Sequence, residues 1–286
     1  MIPTNIQYEE RKLFTDSLNK IVKVIAPEKI ICFGNHTNYY ESWSSFLPVG
    51  STRYLTYYDI LIVTRESDDR EDYEILNQID VLNTPQIHFT SVVRSITAVN
   101  KAIREGNPFF VRMYNKAMTV YDSYNIPLAI PHEDVGEQKL AYLMESNWSR
   151  LFALAKKYHT LARMCVSRAT DPLNDMAVFM LHQSVEVACR AIIRDYTGYR
   201  AETHDLRRLL WLMRNFTLEG ETVFPQNTNE EIELFDTLDN AYGDVRYGHD
   251  YEISPGVILS LLPRVRSFME IAEKLHLEKR NSTQEH

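Results

Sequence analysis

Apolar residues recur along this chain with two different periods, and the change from one to the other divides it. Leu13, Phe14, Leu18, Ile21, Val22 and Ile25 fall at helical spacing, and Pro27 stops the pattern. Lys29 to Gly34 is then a short apolar run ending in glycine, the pattern of a buried strand, and Asp59 to Thr64 is a second. The polar and aromatic segment between them, Asn35 to Tyr58, is expected as a loop. Asp68 to Asp80 fits an amphipathic helix and Pro85 to Val93 a third strand. Ser95 to Glu105 and Pro108 to Asn115 follow as helices, and Met118 to Asp122 as a closing strand. Asn125 to Gly136 holds two prolines and a glycine without periodicity, which predicts a linker.

Beyond the linker all apolar spacing is helical. The pattern predicts helices over Glu137–Ser167, from an Asp171-Pro172 cap to about Tyr196, and from a Thr203 cap to about Phe216. Two more run over Asn229–Val245 and from a Ser254-Pro255 cap to about Lys279, with Gly198 ending the second of the five. Five helices with short connections imply a bundle. The expected organisation is an α+β domain, a mixed sheet with helices, over residues 1–125. A linker spans 126–136, an all-α bundle 137–280 and a polar tail 281–286.

Composition narrows the function classes. The chain has 286 residues, 44% hydrophobic and 24% charged, which is globular rather than disordered. A net charge of −8 does not suit a protein that coats nucleic acid by long-range attraction, so any RNA or nucleotide site must be a local basic pocket. Cys32, Cys165 and Cys189 lie far apart in apolar surroundings without a CxxC pair, as thiols of a reducing compartment do. No stretch approaches 18 apolar residues, and the start lacks a basic stretch followed by an apolar run. The expectation is a cytoplasmic protein with no membrane partner.

Nucleotidyl transfer requires carboxylates that hold two metal ions and a backbone turn for the triphosphate. The order strand, glycine, loop and strand beginning in aspartate is present here, and residues 20–122 resemble the minimal nucleotidyltransferase family. The resemblance implies a nucleotide at Gly34, Asn35 and Asp59, with magnesium on Asp59. Yet Gly34-Asn35 stands where Gly-Ser is expected, and Tyr57 and Leu61 occupy the positions of a second carboxylate. His88 stands where the third acid belongs. The transferase site is therefore expected to be degenerate, and neither nucleotide nor magnesium is assigned as a certain cofactor. The aromatic cluster Tyr39, Tyr40, Trp43, Phe46, Tyr54, Tyr57 and Tyr58 fits either base stacking or a lid packed on its own domain.

The helical half carries Gln183-x-x-Glu186 in its second helix, then Thr203-His204-Asp205-Leu206, then Arg246-Tyr-Gly-His249-Asp-Tyr251. With these features in this order, residues 137–280 resemble the HEPN family, which often accompanies minimal nucleotidyltransferases. Catalytic members are metal-independent ribonucleases acting through an arginine and a histidine, usually across a dimer. The resemblance implies Arg246, His249 and Tyr251 as the ribonuclease motif, with a homodimer through the helices. Only two residues separate Arg246 from His249, against four to six in the ribonucleases, and Arg246-Tyr247 equally matches the branch that does not cleave RNA. On the residues alone, Arg246 is expected to pair with Glu186 or Asp244, and His182 and His204 to be structural. Arg190, Arg194, Arg200, Arg207 and Arg208 are expected as a solvated basic face. Four readings follow. The first is a nucleotide- or RNA-binding regulatory protein with a degenerate transferase site. The others are a toxin or defence ribonuclease, a metal-dependent nucleotidyltransferase relying on Asp59, and a protein-interaction scaffold.

Overall fold

The computed structural model describes residues 8–42, 51–131, 137–166, 173–247 and 253–284. It divides into two compact units, Met1–Val135 and Gly136–His286.

The first unit runs α1 (Tyr8–Ile25), β1 (Lys29–Ser42), β2 (Ser51–Thr64), α2 (Asp72–Asp80), β3 (Ile87–Ser95), α3 (Ile96–Arg104), α4 (Pro108–Lys116) and β4 (Met118–Asp122). Across the sheet the order is β3-β2-β1-β4. The β2–β3 pair is parallel and the other two are antiparallel, so the sheet is mixed as expected. The parallel pair needs a crossover, and α2 supplies it. Strand alternation sends Tyr58, Ile60 and Ile62 into one core with Phe14, Leu18, Ile21, Ile75 and Ile79 of α1 and α2. Leu61 and Val63 project to the opposite face. There, Phe33 of β1 meets Phe109 of α4 with ring centroids 5.7 Å apart.

The expected loop over Asn35 to Tyr58 is instead largely strand. β1 and β2 stay in register from Asn35↔Tyr58 to Ser42↔Ser51. Hydrophobicity hid them because this end of the ladder is only half-buried, with Tyr39 68% exposed. The density of tyrosine and threonine was the usable signal, since such residues favour a pleated, half-covered surface. Trp43 and Phe46 of the aromatic cluster lie outside the described residues. The chain after β4 stays bound to this unit: the Ile126 N–H donates to Glu28 Oε1 (2.8 Å) and Asn100 Nδ2 to the Pro127 carbonyl (3.1 Å).

The second unit consists of α5 (Glu137–Val166), α6 (Asn174–Thr197), α7 (Leu206–Met213), α8 (Glu219–Val223), α9 (Asn229–Tyr247) and α10 (Pro255–Gln284). That is one helix more than the sequence predicts among the described residues, because α8 is too short to show a period. α10 also runs through most of the expected polar tail. α6 is the central helix and packs on α5, α7, α9 and α10. By length and composition alone it is also apolar enough, over its best window, to cross a membrane. Most of that window, 72%, is buried inside the fold, so the apolarity is that of a core helix wrapped on all sides. Gly198 terminates α6 in the left-handed region at φ 78°, and its N–H donates back to the Arg194 carbonyl. The cap of α7 is Asp205 and not Thr203: Asp205 Oδ1 accepts from the Arg208 N–H (2.8 Å), while Thr203 Oγ1 accepts from the Asp205 N–H (3.1 Å). The Asp171-Pro172 cap lies outside the described residues.

Candidate functional site

Helical spacing places His182, Glu186 and Arg190 on one stripe of α6, with Gln183 one position along. Glu186 is 1% exposed, yet three side chains donate to it. Arg190 Nη1 donates to its Oε1 (2.7 Å), while Gln183 Nε2 (3.1 Å) and His204 Nδ1 (3.0 Å) donate to its Oε2. His182 Nδ1 stands 3.7 Å from the same oxygen. A buried carboxylate is tolerable only when its lone pairs are filled in this way. Arg190 also ties down the following loop, donating Nη2 to the carbonyls of Glu202 (3.2 Å) and Thr203 (2.9 Å).

His182 and His204 have different environments. His182 is fully buried, and burial pulls its pKa down to about 4. It is therefore neutral at pH 7 and makes no ion pair with Glu186. The carbonyl of His204, 3.0 Å from Nε2, can only accept, so Nε2 carries the proton and Nδ1 accepts from Gln183 Nε2 (3.2 Å). His204 is 45% exposed at its side chain and gives its Nδ1–H to Glu186. In the neutral ring Nε2 then bears the lone pair.

α9 supplies the other wall. Tyr242 stacks flat on His204, with centroids 3.9 Å apart and planes 9° from parallel. Phe179 of α6 lies near the same ring at 6.3 Å. One turn further on, Arg246 donates Nη1 to the Tyr242 hydroxyl oxygen, and its guanidinium carbon lies 5.0 Å from the ring centre. Below them Asp239 accepts the Leu206 N–H (2.7 Å), joining α9 to the start of α7. Burial, then the nearby Asp205 charge, push the Asp239 carboxyl up to about 6. The arrangement presents an aromatic stack edged by a guanidinium, above a buried anion that fixes one imidazole nitrogen.

Residues 150–275 match the HEPN domain family. A comparison with curated proteins finds no match. The HEPN match covers the stretch from α5 to α10, and with it every residue of the constellation just described. The family match does not extend to the first unit, where a mixed four-stranded sheet stands without an identified nucleotidyltransferase domain.

Of the residues singled out in the sequence, Arg246 stands at the exposed end of α9 in the HEPN domain, and His249 and Tyr251 lie outside the described residues. Arg246 bonds to Tyr242, while Glu186 is occupied by Arg190, Gln183 and His204. The basic run does not form one solvated face. Arg190 pairs with Glu186 and Arg207 with Asp236 (2.6 Å), and Arg208 is buried. Arg194 is held below the ordinary arginine range by burial and by the like charges of Arg200 and Arg150. Tyr242 was missed altogether. Its only sequence signal is its place one helical turn before Arg246.

In the first unit the sheet does bring Gly34 opposite Asp59 and Asn35 opposite Tyr58, with Phe33 bulged out between Cys32 and Gly34. Asp59 is 4% exposed, flanked by Thr90 of β3. The Cys32 thiol nearby is pushed up to about 12, chiefly by burial, with Asp59 adding to it. His88 pairs with Tyr57 across the strands, their rings 5.4 Å apart. Among the described residues no group of three or more His, Cys, Asp or Glu side chains could hold a metal ion. A lone buried carboxylate does not fit the two-ion chemistry of nucleotidyl transfer.

Proposed function

We propose that the HEPN domain binds single-stranded RNA at the surface formed by Tyr242, His204 and Arg246. The observation that carries this reading is the flat His204–Tyr242 stack at 3.9 Å, half-exposed and bordered by the Arg246 guanidinium. Unpaired bases are recognised by stacking on aromatic rings, histidines and guanidinium planes, while arginine also takes the phosphate. The acidic net charge of −8 agrees with a local contact of this kind rather than an extended basic track. Two copies pair through the helices, as the HEPN resemblance implies, and the first unit serves a regulatory or partner-binding role without transferase chemistry. Fluorescence anisotropy with a labelled unstructured RNA tests the reading. Tyr242→Ala and Arg246→Ala should each weaken binding, by about 1–3 kcal/mol for the lost stacking platform. Wild-type affinity in both variants would sink it.

The position of Arg246 at the exposed end of α9, three residues before His249, favours a second reading as a ribonuclease. In that reading His249 handles the proton of the RNA 2′-hydroxyl and Arg246 steadies the charge on phosphorus. RNA cleavage in the presence of a chelator, lost in His249→Ala, would support it.

A further inference from the structure

The sheet of the first unit is closed at one end and open at the other. β4 pairs with β1 only from Lys29 to Cys32, whereas β1 runs on to Ser42. Among the described residues, the edge of β1 that faces away from β2 therefore has no strand beside it from Gly34 to Ser42. On the other side β3 begins at Ile87, opposite Thr56, so β2 has no third strand beside Ser51 to Leu55 either. From Asn38↔Leu55 to Ser42↔Ser51 the ladder is a ribbon of two strands, which is marginal in water by itself. Strand edges are ordinarily guarded by lysine, proline or a bulge. This one is not. The register shift of β1 lies at Cys32/Gly34, where the open edge only begins, and residues 34–42 (GNHTNYYES) hold no lysine, arginine or proline. Tyr39, in the middle of the stretch, is 68% exposed.

We propose that this edge of β1 pairs antiparallel with the same edge of a second copy of the chain, about a two-fold axis at Asn38, joining two four-stranded sheets into one of eight strands. Residues directly opposite each other on antiparallel strands share a face, so the axis has to fall on a residue, and Asn38 is the middle of the open stretch 34–42. Asn38 then faces the second copy's Asn38. Its Oδ1 already takes the N–H of His36 Nε2, 2.6 Å away, which leaves the amide N–H groups to offer across the axis. Thr37 stands opposite the second copy's Tyr39, a pairing that strands favour, and Asn35 opposite Glu41, so no like charges meet. Main-chain hydrogen bonds supply the affinity of an added strand, and side chains supply its selection. With Glu41 as the single charge on 34–42, the edge offers little to select a foreign charged strand, while it is compatible with itself at every position. This pairing belongs to the first unit and is independent of RNA binding and of pairing through the helices.

The test is site-directed crosslinking of the full chain with a short bismaleimide, read as dimer on a denaturing gel beside thermal unfolding. Cys165→Ser removes the half-buried thiol and leaves Cys32 and Cys189, both buried. In that background Asn38→Cys places a thiol on the axis, next to its own counterpart, and should crosslink to a dimer. Val81→Cys, at a position 84% exposed in the same unit but away from β1, should stay monomeric. Adding Tyr39→Lys or, separately, Asn35→Lys to Asn38→Cys sets a lysine on the edge in both copies. Each should lower the crosslinked fraction on the order of tenfold, with the melting temperature close to that of the parent. Crosslinking of Asn38→Cys no greater than that of Val81→Cys overturns the pairing and leaves the edge to a different strand. Crosslinking that both lysine variants leave unchanged also overturns it, because contact would then not run along the edge. RNA affinity and the sedimentation of the helical fragment are unaffected by either result.

Discussion

His182 and Asp239 lie close to the same site and titrate in opposite senses. The His182 pKa falls from an ordinary 6.5 to about 4, chiefly through burial, so between those values the unfolded chain binds the proton and the folded one does not. Stability due to this group is present at neutral pH and is lost on acidification, by on the order of 3 kcal/mol in full. Asp239 is raised from 3.8 to about 6, also chiefly by burial, so the folded state holds the extra proton and stability falls as pH rises through that window. The two effects oppose each other between about pH 4 and 6. Asp239→Asn keeps an oxygen to accept from the Leu206 N–H and removes only the titration. The variant should gain on wild type as pH rises from 4 to 7, by up to about 3 kcal/mol in urea unfolding. A difference between the two proteins that stays constant with pH would show that Asp239 titrates normally.

At the scale of single elements, α6 is where pattern and packing agree best. Its stop at Gly198 was legible because a glycine after the last periodic residue serves the left-handed cap, and φ is 78° there. Gly198→Ala should cost about 1–2 kcal/mol, measured by chemical unfolding, because an L side chain is strained in that region. The loop it begins carries Thr203, His204 and Asp205, so the same variant should also weaken RNA binding by displacing His204 from Tyr242. β1 and β2 teach the opposite lesson. Their outer halves looked like loop because most positions there are only partly buried, and a hydrophobic run signals only a strand that is covered. The cap of α7 was misplaced by two residues, at Thr203, since Thr, Asp and Asn all accept from helix N–H groups and only backbone geometry chooses among them.

At the scale of the whole molecule, each unit has a hydrophobic core drawn from its own residues. In the first it is the sheet between its helices, and in the second it is the layer around α6. The fragment Gly136–His286 should therefore fold alone, with a strongly helical circular dichroism spectrum and one cooperative melt. By sedimentation it should be a dimer. An unfolded fragment would show that the bundle depends on the first unit, and a folded monomer would remove the pairing through helices.

The sequence by itself determined the periods of most helices and strands, and the order of the Gln183-x-x-Glu186, Thr203-His204-Asp205 and Arg246 motifs. These are local properties, set by spacing along a helix or strand and by the chemistry of caps and turns. Only the tertiary structure decided who pairs with whom. Arg246 is within helical reach of Tyr242 in any helix. Glu186, His204 and Tyr242, in contrast, come from three separate segments and meet because α6, α7 and α9 pack together. The same packing buries His182 and leaves His204 half-exposed, two histidines that the chain alone presents as equals. Burial and partner choice are sums over contacts distant in sequence, so no local pattern carries them.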